Sequence, residues 1–166
     1  MVTATTGILL QGLTGPAGAN TSDTTQVFLV DGQGNLNVAG NITGKAKNFK
    51  IDDPLDPDHK SLYHASIESS EMMNIYSGNV VLDRKGEAVV AMPEWFEALN
   101  TDFRYQLTTI GGNAHVYIAR EIENNRFKIA GGRGGLKVSW QVTGVRHDAW
   151  AQAHPMRVEE EKTVGQ

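Results

Sequence analysis

Residues 136–142 read Leu-Lys-Val-Ser-Trp-Gln-Val, an unbroken alternation of apolar and polar side chains. A period of two places Leu136, Val138, Trp140 and Val142 on one face, and Lys137, Ser139, Gln141 and Thr143 on the other. A strand with one greasy and one wet face belongs in an antiparallel sheet covered on one side. The same period sets Phe103, Tyr105 and Leu107 against Arg104, Gln106 and Thr108, and Phe127 and Ile129 against Arg126 and Lys128. The chain has 18 glycines and only 5 prolines, so many tight turns between short strands are expected. Asn124-Asn125 tolerates the left-handed geometry of a two-residue turn. The run GNVVLDRKGEAVVAM reads as a hairpin with DRKG as its loop and Gly86 at a positive φ. One short helix is predicted in MPEWFEALN, with Pro93 in the first turn, Glu94 and Glu97 early, Asn100 as terminator, and Trp95 and Leu99 facing the sheet. The fold class is therefore all-β: an antiparallel meander or sandwich with one short helix.

Composition changes near residue 45. Residues 1–44 carry only two ionisable side chains, Asp23 and Asp31, and are rich in Gly, Thr, Asn and Ala. We read residues 1–44 as a shaft or collar segment, 45–158 as the antiparallel β domain and 159–166 as a polar tail. Within the first segment QVFLV predicts a strand buried on both faces, and DGQGN a turn. In NLNVAGNITG, Leu36, Val38 and Ile42 alternate with Asn37, Ala39 and Asn41. A strand pair of this size cannot bury itself, so Val27, Leu29, Leu36, Val38 and Ile42 are expected to pack on sister copies of the chain. GLTGPAGAN, residues 12–20, is a run of Gly-x-y triplets. It is too short for an independent collagen helix. Gly12, Gly15 and Gly18 are expected to permit close backbone approach at an oligomer axis, or else to form a flexible linker.

Hydrophobic residues make up 40% and charged residues 20%, a globular balance. The formal net charge of −4 provides no general attraction to nucleic acid or anionic lipid. The apolar stretch GILLQGL is too short to span a bilayer, and without a basic leader no targeting segment or membrane insertion is expected. With no cysteine, thiol chemistry is excluded. DDPLDPDHK offers Asp52, Asp53, Asp56 and Asp58 as hard oxygens but lacks the glycine and closing glutamate of a calcium loop, so turn chemistry is the reading and no metal is assigned. His59, His64, His115, His147 and His154 show no zinc-ligand spacing. SIESSE places serines beside Glu68 and Glu71 without a nucleophile elbow. Glu94 and Glu97 suit a helix N-terminus better than glycan cleavage. AGGRGGL matches no phosphate-binding loop and reads as a hairpin tip, either merely flexible or touching a partner. The sequons at Asn20 and Asn41 matter only in a eukaryotic secretory pathway. No catalytic residue and no cofactor is assigned.

NFKIDDPLDPDHKSLYHASIESSEMMNIYSGNVVLD resembles a β-rich module recurrent in tail-fibre and virion-appendage proteins of bacteriophages and large viruses, and in related bacterial proteins. The resemblance rests on Phe49, Lys50, Ile51, Pro54, Leu55, Asp56, Pro57, Lys60, Leu62, His64, Glu68, Glu71, Tyr76 and Gly78. Asp53 stands where the pattern has histidine, and Ser70 where it has proline. Residues 88–111 and 125–146 are similar to the module's downstream part, and residues 27–44 to the shaft units that precede it. Many relatives continue into a self-cleaving chaperone domain of the endosialidase type, whose serine-containing start does not follow the module here. The resemblance implies a homotrimeric structural and adhesive protein of a virion or cell surface, presenting loops near 83–86, 111–114, 123–126 and 131–135. Its partners would be its own copies, with a cell-surface glycan or protein as candidate receptor. The alternative is a bacterial surface or extracellular filament subunit that polymerises by strand addition. A glycan-processing enzyme is the remaining rival.

Overall fold

The computed structural model describes residues 8–15, 25–43, 48–159 and 161. The fold is mostly β, with several small antiparallel sheets and two short helices. The chain divides into two compact units, 1–46 and 47–166.

The first unit is a three-stranded antiparallel sheet of β1 (Ile8–Thr14), β2 (Thr25–Asp31) and β3 (Leu36–Val38), in that order. β2 and β3 are joined by the predicted turn. The Asp31 carboxylate accepts hydrogen bonds from the backbone N–H groups of Gln33 and Asn35, each at 2.9 Å, and from the Asn35 amide at 2.8 Å. Gly34 supplies the positive φ of 86°. The side-chain bond from Asn35 holds the Asp31 carboxyl below its ordinary value. Gly12 lies inside an antiparallel strand opposite Phe28, and a Cβ there would stand 3.3 Å from the Phe28 Cβ. Gly15 follows that strand and is exposed, and Gly18 lies outside the described residues. β2 is half-buried from Val27 to Asp31 and not buried on both faces as expected. The strand expected through Ile42 ends at Val38, leaving Ile42 59% exposed.

The second unit is a sandwich. One sheet orders β6 (Met73–Val81), β11 (Lys137–Arg146) and β8 (Asn100–Ile110); the other orders β7 (Ala88–Ala91), β10 (Arg126–Ala130) and β9 (Tyr117–Glu123). The predicted inward residues Phe127, Ile129, Leu136, Val138 and Val142 are all buried, joined by Leu82, Val90, Met92 and Phe96. Tyr105 and Trp140 of one sheet meet Phe127 of the other at ring separations of 5.7 and 5.5 Å. Each fully buried side chain of this kind stabilises the fold by about 1.5–3 kcal/mol. A separate hairpin, β4 (Asn48–Asp52) and β5 (Ser61–Ala65), forms a two-stranded sheet of its own.

The arrangement is not a meander. The expected hairpin over residues 78–92 does not form: its turn closes, with Gly86 N–H donating to the Asp83 carbonyl at 2.9 Å, but its arms part. Val81 pairs with Lys137, whereas Ala88 pairs with Ile129 in the opposite sheet. The period of two fixes which face is apolar but not which neighbour a strand takes. The Asn124-Asn125 turn is as predicted, both residues having φ of 55°. The helix shrinks to α1 (Phe96–Leu99), and it buries Phe96 and Leu99, with Trp95 only half-buried. A second helix, α2 (Ala149–Ala153), was not expected.

Three loops interlock at one end of the sandwich through glycine. Gly132 N–H donates to the Gly86 carbonyl and Gly135 N–H to the Leu82 carbonyl. A Cβ on Gly86, at φ of 75°, would stand 2.0 Å from the Gly132 carbonyl oxygen, and one on Gly112 would stand 2.7 Å from the Arg133 guanidinium. The obstacle at Gly86 is backbone, which cannot swing aside. Gly86→Ala is therefore expected to cost roughly 2–4 kcal/mol from combined strain and overpacking. Urea unfolding measures it, and a loss within error of zero would contradict the interlock.

Candidate functional site

The β4–β5 hairpin is held to the sandwich by side chains. Phe49 and His64 are cross-strand partners on its half-buried face, their rings stacked at 5.5 Å. His64 meets Trp95 and Tyr76 edge-on at 5.6 and 5.9 Å. On its other flank Phe49 faces the Arg146 guanidinium at 5.1 Å, and Arg146 faces Trp150 at 5.3 Å. Trp150 in turn stacks with His154 at 4.5 Å. The result is a ladder of rings and one cation running from the hairpin through the end of β11 to α2. Cation–π contacts of this kind contribute about 0.5–2 kcal/mol each, more as water is excluded.

The cation is buried and paired. Arg146 donates to Asp148 through Nε at 2.6 Å and Nη2 at 2.9 Å, and their side chains are 8% and 11% exposed. Burial by itself would raise the Asp148 carboxyl, but the hydrogen bonds and charge of Arg146 outweigh it and hold the group below its ordinary value.

A polar thread runs behind the ladder. His64 Nε2 and the Tyr76 hydroxyl lie 3.1 Å apart; Asn100 donates to that hydroxyl at 3.1 Å and to the Phe96 carbonyl at 2.8 Å, and accepts from Asn74 at 2.8 Å. Burial pushes the Tyr76 phenol up to about 12. Burial, helped by the Arg146 charge, lowers the His64 imidazole. His64 Nδ1 is buried without a hydrogen-bond partner, so a proton added there would be unsolvated.

Beside the ladder lies a cavity of about 730 Å³, lined among others by Phe49, Asp53, Pro54, Arg146, His147 and Trp150. Its size is that of a small-molecule site. Asp53 is 6% exposed and accepts a hydrogen bond from the Leu55 N–H at 2.9 Å. His147 donates its backbone N–H to Leu99, and its Nδ1 is buried without a partner.

The other sequence candidates are scattered. Asp56 bonds His59 at 2.7 Å and lies 3.6 Å from Lys60, so the acidic stretch folds as a turn. Among the described residues no three His, Cys, Asp or Glu side chains converge on a metal position. Glu71 is engaged by Arg104, which also pairs with Asp102. Glu97 accepts the Asn125 N–H while its own N–H donates to the Asn125 side chain, and Asn125 Nδ2 donates to the Glu94 carbonyl, fastening α1 to the β9–β10 turn. The four expected loops do not share one surface. Loops 83–86, 111–114 and 131–135 meet at the glycine end, whereas 123–126 turns at the opposite end of β9–β10. His115 and Asn41 are exposed, and Asn20 lies outside the described residues. Among the described residues no helix is long and apolar enough to cross a membrane. No protein-family model, curated protein or solved structure matches the chain.

Sequence reasoning missed the Arg146–Asp148–Trp150 group. The available signal was its spacing: an arginine ending an alternating strand, with an acid and an indole at successive second positions.

Two outcomes follow from the ladder. Asp148→Ala leaves a buried guanidinium unpaired, and a loss of about 3–5 kcal/mol is expected. Replacing both partners by apolar residues is expected to cost less than that single change, and equal losses in chemical denaturation would count against the pairing. The second outcome concerns pH. In the fold His64 lies below its ordinary value of 6.5, so the fold favours the neutral ring. Its contribution is complete above pH 6.5 and is lost as pH falls through the folded value. The melting temperature should drop between pH 7.5 and 5, and His64→Phe should flatten that drop. An unchanged slope would mean that another group sets the pH response.

Proposed function

We propose that the chain is a structural and adhesive subunit of a tail-fibre-like extracellular or virion appendage, acting as a homotrimer and not as an enzyme. One observation carries this reading. Among residues 10–15 and 25–43 of the first unit none is fully buried, while Leu10, Leu13, Leu36 and Ile42 are 59%, 39%, 52% and 59% exposed and Val27, Leu29 and Val38 are half-covered. A sheet with that much uncovered apolar surface requires a second layer, and sister copies supply one by symmetry.

The sheet edges favour a closed assembly over the open filament. Edge strand β1 carries two register irregularities, and β3 has only three residues. Bulged and short edges resist strand addition. Against catalysis stand the engaged carboxylates Asp53, Glu71, Glu97 and Asp148, each spent on turns or ion pairs. Three linked copies would multiply weak contacts through effective concentration, with avidity gains of about a hundredfold.

Native mass spectrometry and sedimentation at micromolar concentration are expected to give three times the 18.1 kDa chain mass. Leu36→Asp with Ile42→Asp should dissociate the assembly and leave the sandwich folded. A folded wild-type monomer would defeat the proposal, and a mass that grows with concentration would favour the filament.

A further inference from the structure

The outer face of the β7–β10–β9 sheet contains an arrangement that the core does not require. Ile118 pairs with Ile129, Arg120 with Lys128, and Glu123 with Arg126, with irregularities between each successive pair. In a regular strand, Arg120 would share the inward face of Ile118 and Ile122, both packed against the core. The two bulges turn it outward instead, directly across from Lys128. Bulges that re-aim one side chain are commonly placed beside functional sites.

The consequence is electrostatically unfavourable for the free protein. Arg120 and Lys128 are like charges in opposed positions, an arrangement that destabilises a sheet. Arg126 lies two residues along from Lys128 on the same face. Glu87 neutralises Lys128 at 2.7 Å, but among the described residues neither the Arg120 nor the Arg126 side chain has a hydrogen bond or ion pair. Glu123, opposite Arg126, forms no ion pair with it. These three cations, with Glu123 and Val89, line a cleft of about 440 Å³. A concave site holding two uncommitted guanidinium forks, in a chain of net charge −4, is matched to a small anion with several acceptor oxygens.

We propose that this cleft binds an oxyanion, a phosphate, sulfate or carboxylate group, through Arg120 and Arg126, with Lys128 adding charge. The site does not depend on the oligomeric reading above. The oxyanion is either free or carried on a saccharide, and the two are separable by experiment.

The test is a calorimetric titration of the full chain, at constant ionic strength, with pyrophosphate in one arm and a heparin-derived sulfated hexasaccharide in the other. Oligomer mass is recorded on the same samples. Saturable binding is expected, weakened about tenfold by Arg120→Gln or Arg126→Gln. Lys137→Gln, which removes an exposed cation on the other sheet, should bind as wild type. Without anion, Arg120→Gln should melt at or above the wild-type temperature, since it relieves a like-charge contact. Binding of pyrophosphate supports a free-anion site, and binding of the hexasaccharide alone supports a saccharide-borne one. No binding in either arm, equal loss in the Lys137 control, or a lower melting temperature for Arg120→Gln would overturn the proposal.

Discussion

The guanidinium of Arg146 is the point on which the second unit converges. It ends the central strand of one sheet, pairs with Asp148 at the entrance to α2, and lies between a ring of the β4–β5 hairpin and the indole of α2. A lysine could carry the charge but could not offer flat faces to two rings and a fork to a carboxylate together. The hairpin has no backbone pairing beyond its own two strands. Its position therefore follows from this side chain and from the rings of Phe49 and His64, and the neighbouring cavity takes its walls from the same contacts.

The polar thread behind those rings shows how a small core tolerates amides. Asn74 and Asn100 are each 2% exposed, yet each spends its side chain on another protein group. Tyr76 closes the thread against His64. Buried polar groups of this kind are costly when unpaired and directional when paired, so the thread fixes the orientation of α1 against β6 and β8 where apolar contacts alone would allow sliding.

The inward rows of β8, β10 and β11 were readable from residue order, because alternation reports burial directly: Phe127, Ile129, Val138 and Val142 lie where the period places them. The Asn124-Asn125 and Gly86 conformations were readable for the same local reason. Strand partners were not. Nothing in the Asp83–Gly86 loop distinguishes a hairpin from a link between two sheets, since both need the same turn. The ladder was equally hidden, because Phe49, His64, Arg146 and Trp150 are distant in the chain and only the docked hairpin brings them together. The outward turn of Arg120 was hidden for a third reason: a bulge shifts the period by one, and regular alternation cannot register it.

The glycine interlock bears on how such a protein can diversify. Gly86, Gly132 and Gly135 hold their loops backbone to backbone, so an insertion in one loop displaces another. That end resists variation in length as well as in side chain. The turn from Asp53 to Lys60 is different: its backbone bonds run among its own residues, between Asp53, Asp56, His59 and Lys60. That turn can be lengthened or exchanged without breaking a backbone bond to another loop, and because Asp53 and Pro54 line the cavity beside Arg146, selection for a new binding specificity would find its freedom there.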